Sequence, residues 1–293
     1  MNRILDWNTV KLLRIPFSFF LMPVYFLALN QSTVDDEETH FNSILIFIIL
    51  HLFIYPASNG YNSFMDKDEG SIGGLKNPPM PTQQLFYVSL VFDAIGLVLS
   101  WFINIYFFIG VLIYSLVSRA YSWKGIRLKK YAIPGFLSVV IFQGAFMFLT
   151  IYVGINQAEP MDVLDSGLIY PMLASSFMIA GGYPLTQIYQ HQEDKAHGDK
   201  TLSLLLGYNG TFIFSSLMFM VAGGILFDYL SFVEFVIFEI YLAPLLIFFM
   251  YWAIKVFQDT SEANYENTMR MNILSSACMN ACFITIFILN RFT

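Results

Sequence analysis

Long apolar runs separated by short polar segments dominate this chain. A helix that crosses a membrane needs about 20 mostly apolar residues, and nine runs approach or reach that length. They lie near 12–30, 42–59, 84–101, 102–120, 132–155, 166–188, 209–228, 232–256 and 269–290. The third and fourth runs are nearly continuous, which predicts a tight turn near 101–104. The pattern therefore predicts an all-α, polytopic membrane protein with nine transmembrane helices in one bundle.

The composition agrees with a membrane protein and indicates a single domain. Of the 293 residues, 57% are hydrophobic and only 12% are charged, whereas a soluble domain carries about 25% charged residues. Because membrane helices pack into one bundle, we predict one domain over residues 1–293, with polar loops that cap one face. The net charge of −6 gives no support to nucleic-acid binding.

The basic residues are distributed unequally between the two predicted faces. With nine spans, one side holds the N-terminus and the loops after spans two, four, six and eight. Of the 15 Lys and Arg residues, only Arg291 falls on the opposite side, which also carries the acidic stretch 35–38. Cytoplasmic loops of membrane proteins are rich in Lys and Arg. We therefore predict a multi-pass protein, expected in a bacterial inner membrane, with a cytoplasmic N-terminus and an external C-terminus.

The loop after the second run is acidic and begins in helical register. Asn62 and Asp66 are four residues apart, so they share a face if the helix continues to Asp66. Asp68 follows, and Glu69 lies three residues beyond Asp66 and extends that face. A Gly-Gly pair and a Pro-Pro pair then end the helix and turn the chain back, at 73–79.

The loop after the sixth run repeats this pattern. Gln190 and Asp194 are again four residues apart, and Glu193 and His197 each lie one turn from their shared face. Gly198 is a natural helix end. The sequence thus predicts a second acidic helix end on the same side of the membrane as the first.

A basic loop follows the fourth run on this same side. Its basic residues are Arg119, Lys124, Arg127, Lys129 and Lys130. Taken singly, an acidic loop is more often solvated surface, and a basic loop is what membrane orientation requires. Together, two acidic clusters favour two Mg²⁺ ions that clamp a diphosphate, and Lys and Arg take the remaining phosphate charge.

The arrangement resembles the UbiA superfamily of intramembrane prenyltransferases, which has nine helices and acidic motifs after helices two and six. The resemblance covers nearly the whole chain and is densest at 59–81, 121–129 and 193–207. The stretch 194–202 is similar to the second family motif and to the Gly-x-(Arg/Lys)-Thr-Leu segment that follows it. Ser63, Gly70 and Gln190 stand where the family has Asp, which predicts a divergent member.

The resemblance implies Mg²⁺-dependent transfer of a prenyl group from a polyprenyl diphosphate to a lipophilic acceptor, aromatic or quinone-precursor-like, at the cytoplasmic membrane face. The implied metal-binding residues are Asn62, Asp66, Asp68, Glu69, Gln190, Glu193 and Asp194, with Asp66 and Asp194 as the catalytic residues. The implied diphosphate-binding residues are Lys124, Arg127, Arg14 and Lys200. The implied partners are these two substrates and the lipid bilayer.

Other functions stay open at this point. A terpene cyclase would use the same scaffold and capture the carbocation with the substrate's own double bond. A transporter is disfavoured because the charged residues gather in loops on one side rather than near the midplane. A non-catalytic membrane scaffold also stays open. The prenyl length, the acceptor and the oligomeric state do not follow from the sequence.

Several titratable residues outside this set have simpler interpretations. His191 and His197 match no zinc spacing, and we interpret them as surface histidines. Asp93 and His51 lie within predicted spans, where an ionisable residue is a functional hypothesis by default. For Asp93 we expect instead a bond to a polar neighbour inside the bundle.

Overall fold

The computed structural model describes residues 6–33 and 36–292, and these form a bundle of helices. Arg3 and Asp35, which entered the orientation argument, lie outside the described residues. The helices are α1 Trp7–Leu12, α2 Met22–Asn30, α3 Glu37–Ile48, α4 Tyr55–Asp66, α5 Gln83–Trp101, α6 Ile105–Ser122, α7 Ala132–Gln143, α8 Ala145–Asn156, α9 Pro160–Asp165, α10 Ile169–Gln187, α11 His191–His197, α12 Leu202–Tyr229, α13 Phe232–Gln258 and α14 Tyr265–Phe292. Among the described residues there is no strand, and a single bridge pairs Ile72 with Leu75.

Eight helical segments of the described chain are long and apolar enough to cross a membrane, which confirms the prediction of an all-α, polytopic membrane protein. They are Trp7–Asn30, Glu37–Asp66, Gln83–Trp101, Ile105–Ser122, Ala132–Asn156, Leu202–Tyr229, Phe232–Gln258 and Tyr265–Arg291. Helix α10 takes the place of the predicted sixth span and has 19 residues. Polar and small residues such as Ser175, Ser176 and Thr186 lower its hydropathy, so the count of nine spans stays a prediction.

Several predicted spans contain breaks that the hydrophobic pattern does not show. The first is interrupted at Arg14, which has a left-handed backbone (φ 47°), and continues as a 3-10 helix before α2. In the second, a π-helical segment at Ile49–Ile54 joins α3 to α4. Pro56 lies in the first turn of α4, and a proline inside a helix removes a backbone donor. The wider π turn accommodates that loss.

The fifth predicted span is divided at Gly144, which has φ −95° and ψ −111°. An added Cβ there would lie 2.5 Å from the Cα of Ser176 on α10, so only glycine permits this approach. The Ser176 hydroxyl accepts a hydrogen bond from the Ala145 N–H at 2.9 Å and donates one to the Val140 carbonyl at 3.0 Å. A side chain of α10 thereby satisfies backbone groups at the break between α7 and α8.

The seventh helix begins earlier than the sequence indicated. Helix α12 starts at Leu202 rather than 209, with the Thr201 hydroxyl as its N-cap, and bends at Gly207 (φ 68°). Helix α12 packs along α10, and α13 packs along α14. We call the end of the bundle with segments 67–82, 123–131, 188–201 and 259–264 the loop end. This end carries the acidic and basic segments singled out above.

Candidate functional site

A large cavity opens among the helices at the loop end and extends into the bundle. Its volume is about 1110 Å³, at or beyond the upper end of the roughly 300–1,000 Å³ of ordinary small-molecule pockets. Charged and amide side chains line it at the loop end. Deeper in the bundle its walls are apolar, and they include Phe142, Met178, Phe219, Leu242, Leu245 and Phe249. The cavity thus joins a highly polar entrance to an apolar interior.

The first acidic segment reaches the cavity through the last turn of α4. The helix ends at Asp66 because Lys67 adopts a left-handed backbone (φ 55°). Asn62 and Asp66 both line the cavity, as their four-residue spacing predicted. The Asn62 amide donates a hydrogen bond to the Ser122 hydroxyl of α6 at 2.8 Å. The Asp66 side chain is only 3% exposed, and its Oδ1 has no hydrogen-bond partner among the described residues.

Two acidic residues follow Asp66, and the structure separates them. Asp68 lines the cavity; burial and the neighbouring Asp66 carboxylate raise its pKa to about 6. Glu69 is exposed and does not line the cavity. The expectation that Glu69 extends the Asn62–Asp66 face is wrong, because the helical register stops at Asp66.

The second acidic segment lies opposite the first. It consists of a 3-10 turn at Ile188–Gln190 and α11, and Gly198 (φ 72°) ends α11 as predicted. The Gln190 amide donates a hydrogen bond to the Ser71 carbonyl at 3.2 Å, which ties the two acidic segments together. An added Cβ at Gly70 would lie 2.6 Å from Oε2 of Glu193. The Glu193 carboxylate therefore lies beside the Gly70 backbone, and the two acidic segments are in contact here.

Asp194 and Glu193 both line the cavity, with half-buried side chains. Oδ2 of Asp194 accepts a hydrogen bond from the Thr201 hydroxyl at 2.9 Å. Burial and the nearby Asp199 carboxylate nevertheless raise the pKa of Asp194 to about 6. On both acidic segments, burial is the main cause of the raised pKa, because it disfavours the ionised carboxylate.

Lys129 and Asp199, which the sequence analysis did not assign to the site, complete the charged entrance. Lys129 forms an ion pair with Oδ2 of Asp66. Arg127 donates from Nη2 to Oδ2 of Asp199 at 2.9 Å, and its Nη1 lies 4.0 Å from Oδ1 of Asp66. The basic loop therefore contacts both acidic segments. Lys129 was visible as a member of the basic loop, but nothing in its spacing distinguished it from Lys130.

Asp199 was missed because it lies five residues beyond Asp194, a spacing that points away from the shared helix face. The left-handed Gly198 turns the chain back, so Asp199 faces the cavity and is only 7% exposed. Its Oδ1, like that of Asp66, is buried without a hydrogen-bond partner in the described chain. The helix end, and not the periodicity, decides the position of this side chain.

The remaining predicted basic residues lie at different places. Arg14 lines the cavity and is buried, and its guanidinium donates to the carbonyls of Gly73 and Asn59 at 3.1 and 3.4 Å. Lys124 lines the cavity and is exposed. Lys200 is exposed and does not line the cavity, and its backbone N–H donates a hydrogen bond to the Lys130 carbonyl at 3.0 Å. Lys200 therefore does not belong to the cluster in this structure.

The histidine interpretation is wrong for His191. This side chain is 3% exposed, stacks on Tyr208, and its Nε2 lies 2.8 Å from the Ser203 hydroxyl. Burial lowers its pKa to about 4. His197 is exposed, as expected. Asp93 forms an ion pair with Arg119 inside the bundle, away from the cavity, which agrees with the structural interpretation.

No group of three His, Cys, Asp or Glu side chains within the described part of the chain converges closely enough to hold a metal unaided. Asp66 and Asp199 are paired instead with Lys129 and Arg127. The donor set is nevertheless the oxygen-only chemistry that Mg²⁺ prefers, with substrate phosphates as further ligands. The buried Oδ1 of Asp66, which accepts no hydrogen bond within the described chain, fits such an ion.

Comparison with known proteins places this cavity in a family context. The model of the UbiA prenyltransferase family matches residues 18–276. A digeranylgeranylglyceryl phosphate synthase from Thermococcus kodakarensis is 26% identical over 171 residues, which are 56% of this chain and 57% of that protein's length. The match therefore spans little more than half the length of this relative.

Solved structures share the fold over nearly the whole chain. A UbiA homologue from Aeropyrum pernix aligns with a TM-score of 0.70 and 18% identity, covering 93% of this chain and 98% of that one. A UbiA homologue from Archaeoglobus fulgidus, solved with GPP and Mg²⁺, aligns with a TM-score of 0.65 and 18% identity, covering 96% and 99%. At this level of identity the likeness shows the fold.

Proposed function

This chain belongs to the UbiA prenyltransferase family, and on that premise we propose that it transfers a prenyl group from a prenyl diphosphate to a lipophilic acceptor, with Mg²⁺. The observation that carries the proposal is the convergence of two acidic segments and one basic loop at the entrance of an apolar cavity. The polar entrance suits the diphosphate, and the apolar interior suits the isoprenoid tail.

Mg²⁺ neutralises charge on the diphosphate and so favours its departure when the ion is bound. The residues that would hold it are Asp66, Asp68, Glu193 and Asp194, with Asn62 and Gln190 orienting the two segments. Glu69 is left out because it lies outside the cavity. The fit rests on the buried Oδ1 of Asp66, which accepts no hydrogen bond within the described chain. Burial also raises the pKa of Asp68 and of Asp194, and a divalent cation would stabilise the ionised carboxylates that burial disfavours.

The basic residues bind the leaving group. Arg127 and Lys129 already lie between the carboxylates, and Lys124 lies exposed on the cavity wall. As the carbon–oxygen bond to the diphosphate breaks, negative charge grows on the leaving oxygen, and donors placed beforehand stabilise it. We assign Lys124, Arg127 and Lys129 to this role. Arg14 supports the 67–82 segment through the Gly73 carbonyl.

The cavity size supports two substrates in one site. A volume of about 1110 Å³ exceeds what one drug-sized ligand occupies, since ordinary pockets run from roughly 300 to 1,000 Å³. The cavity walls include the aromatic residues Tyr121, Tyr183 and Phe219, and aromatic rings can stabilise a cation. Loops rich in Lys and Arg favour a cytoplasmic position for this entrance.

The test is diphosphate release by purified protein in detergent, with and without Mg²⁺, across prenyl diphosphates and with lipid-extract, hydroxylated aromatic and glyceryl phosphate acceptors. We expect Mg²⁺-dependent release that falls by about a hundredfold in Asp66→Asn and in Asp194→Asn, the loss typical of removing a transition-state contact. Asp162→Asn is the matched control because this exposed side chain lies on α9, outside the cavity.

Two outcomes would contradict the proposal. Full turnover of every prenyl diphosphate by both variants would remove the acidic segments from the reaction. A cyclised product formed without any acceptor would show that the carbocation is captured within the substrate, as in a cyclase. Mass analysis of the extracted product separates that outcome from transfer.

A further inference from the structure

Arg127 is divided between two carboxylates that belong to different acidic segments. Its Nη2 donates a hydrogen bond to Oδ2 of Asp199 at 2.9 Å, whereas its Nη1 stands 4.0 Å from Oδ1 of Asp66. A separation of 4.0 Å between donor and acceptor is beyond hydrogen-bond range. Arg127 therefore pairs fully with Asp199 and only approaches Asp66, although one guanidinium faces both carboxylates.

The Asp66 oxygen that Arg127 does not reach is the one on which the fit to Mg²⁺ rests. The Asp66 side chain is 3% exposed, and its Oδ2 forms the ion pair with Lys129. Its Oδ1 accepts no hydrogen bond within the described chain. A buried carboxylate oxygen is costly unless a donor or a cation meets it. Full closure of Arg127 onto Asp66 would cover Oδ1 with a guanidinium and make it unavailable to a metal ion.

Backbone hydrogen bonds fix Asp199 beside the basic loop. The Asp199 N–H donates to the Asp194 carbonyl at 2.9 Å, and the N–H of the next residue, Lys200, donates to the Lys130 carbonyl at 3.0 Å. The Asp199 side chain is only 8% exposed, and Coulomb attraction is stronger where water is largely excluded. An anchored and buried carboxylate thus competes with the first acidic segment for the Arg127 guanidinium.

We infer that Asp199 is a positioning residue for the metal site: it holds the Arg127 guanidinium away from Oδ1 of Asp66 and so keeps that oxygen open to Mg²⁺. Asp199 acts through Arg127 and does not itself bind the ion. Without the Asp199 carboxylate, the guanidinium closes on Asp66 and competes with the metal. This inference rests on the proposed function, because it concerns the ion that the acidic segments would hold. A metal ligand and a positioning residue respond differently when Arg127 is also removed.

The experiment measures binding of Mn²⁺, which takes the same oxygen ligands as Mg²⁺, from the electron paramagnetic resonance signal of the free ion. The purified protein is kept in detergent, and no prenyl substrate is added, so turnover does not contribute. For Asp199→Asn we expect the Mn²⁺ affinity to fall by about tenfold or more, the loss typical of residues that support metal ligands. For Asp199→Asn with Arg127→Met we expect most of that affinity to return, because no guanidinium is left to cover Asp66.

Asp199→Asn with Lys124→Met is the matched control because it has the same net charge as the first double variant. Lys124 is exposed on the cavity wall, and the ion pairs of Asp66 and Asp199 within the described chain do not involve it. We expect the Mn²⁺ affinity of this control to stay low. Arg127→Met alone provides a background without an unpaired guanidinium, in which adding Asp199→Asn should change the affinity little, even if the single Asp199→Asn variant folds poorly.

Three results would overturn the positioning role. A large loss on adding Asp199→Asn to Arg127→Met would make Asp199 a metal ligand. Equal recovery in the two double variants would reduce its effect to net charge. An unchanged affinity in Asp199→Asn would show that Arg127 stays off Asp66 without an anchor. Absence of Mn²⁺ binding to the wild type would instead contradict the metal site of the proposed function, and the positioning role with it.

Discussion

The guanidinium of Arg127 donates a hydrogen bond from Nη2 to Oδ2 of Asp199 across 2.9 Å. The Asp199 side chain is 8% exposed and that of Arg127 is 23% exposed, so this contact is largely shielded from water. Arg127 also faces Asp66. The pair therefore holds the basic loop against the second acidic segment and completes the entrance of the cavity.

Asp199→Asn should lower both stability and diphosphate binding. Removing one member of a buried pair costs about 3–5 kcal/mol. Because Arg127 retains some exposure, we expect a loss of about 1–2 kcal/mol in the free energy of unfolding. Thermal unfolding in detergent and binding of a prenyl thiolodiphosphate measure the two effects. Asp162→Asn serves again as the control, and an equal response in both variants would show that the pair contributes nothing specific.

The contrast between Asp68 and Glu69 tests the position of the helix end. Asp68 lines the cavity, whereas Glu69 is exposed outside it. We expect Asp68→Asn to weaken the apparent Mg²⁺ affinity by at least about tenfold, which corresponds to about 1.4 kcal/mol. Glu69→Gln should leave that affinity within about twofold, since an exposed charge off the site contributes little. Mg²⁺ titration of diphosphate release measures both, and a reversed order would mean that the 67–70 segment rearranges when substrate binds.

The raised pKa values predict how metal-free protein responds to pH. Folding raises the pKa of Asp68 from 3.8 to about 6, so the folded state binds more protons than the unfolded state between these values. Stability from this group is therefore present below pH 4 and is lost as the pH rises through 6. His191, with a pKa lowered to about 4, opposes this trend because its buried neutral ring resists protonation.

The difference between wild type and Asp68→Asn isolates the carboxylate, because the His191 contribution is common to both. We expect the stability of Asp68→Asn relative to wild type to rise as the pH increases from 4 to 7 in metal-free buffer. Excess Mg²⁺ should reduce that advantage at pH 7. Chemical unfolding at several pH values measures it, and a difference that does not change with pH would contradict the raised pKa.

The Asp93–Arg119 pair tests a structural role away from the cavity. The Arg119 guanidinium also donates to the Ala57 carbonyl at 3.3 Å and lies 4.0 Å from the centre of the Tyr61 ring, so it ties α6 to α4 and α5. We expect Arg119→Met to cost on the order of 2 kcal/mol, somewhat below the value for a fully buried pair because both side chains keep some exposure. Thermal unfolding in detergent measures this loss.

The double variant Asp93→Asn with Arg119→Met provides the control for that prediction. Removing both charges leaves no unpaired carboxylate, so part of the lost stability should return. If the double variant is as unstable as the sum of the two single variants, the pair is not coupled and the contacts of Arg119 with α4 account for the effect.

The fold class followed from the hydrophobic pattern because a helix that crosses a lipid bilayer must be long and apolar, and the sequence shows the length of each apolar run directly. Even so, the breaks at Arg14 and Gly144 were not predicted. At Gly144, the break depends on contact with Ser176, which lies on another helix. Similarly, the early start of α12 depends on the Thr201 cap and the bend at Gly207. Both residues precede the apolar run 209–228, so the hydrophobic pattern gave no sign of them.

The sequence by itself determined the membrane class, the family and the two acidic segments. For the first acidic segment, helical spacing alone places Asn62 on the same face as Asp66. Only the tertiary structure decided which charges face one another. It places Glu69 outside the cavity and Asp199 in the cavity wall, because the chain leaves helical register at the left-handed Lys67 and Gly198. It also revealed the cavity, since a space between helices exists only after they pack. Periodicity describes one helix, whereas a site between segments depends on where each helix ends and what it packs against.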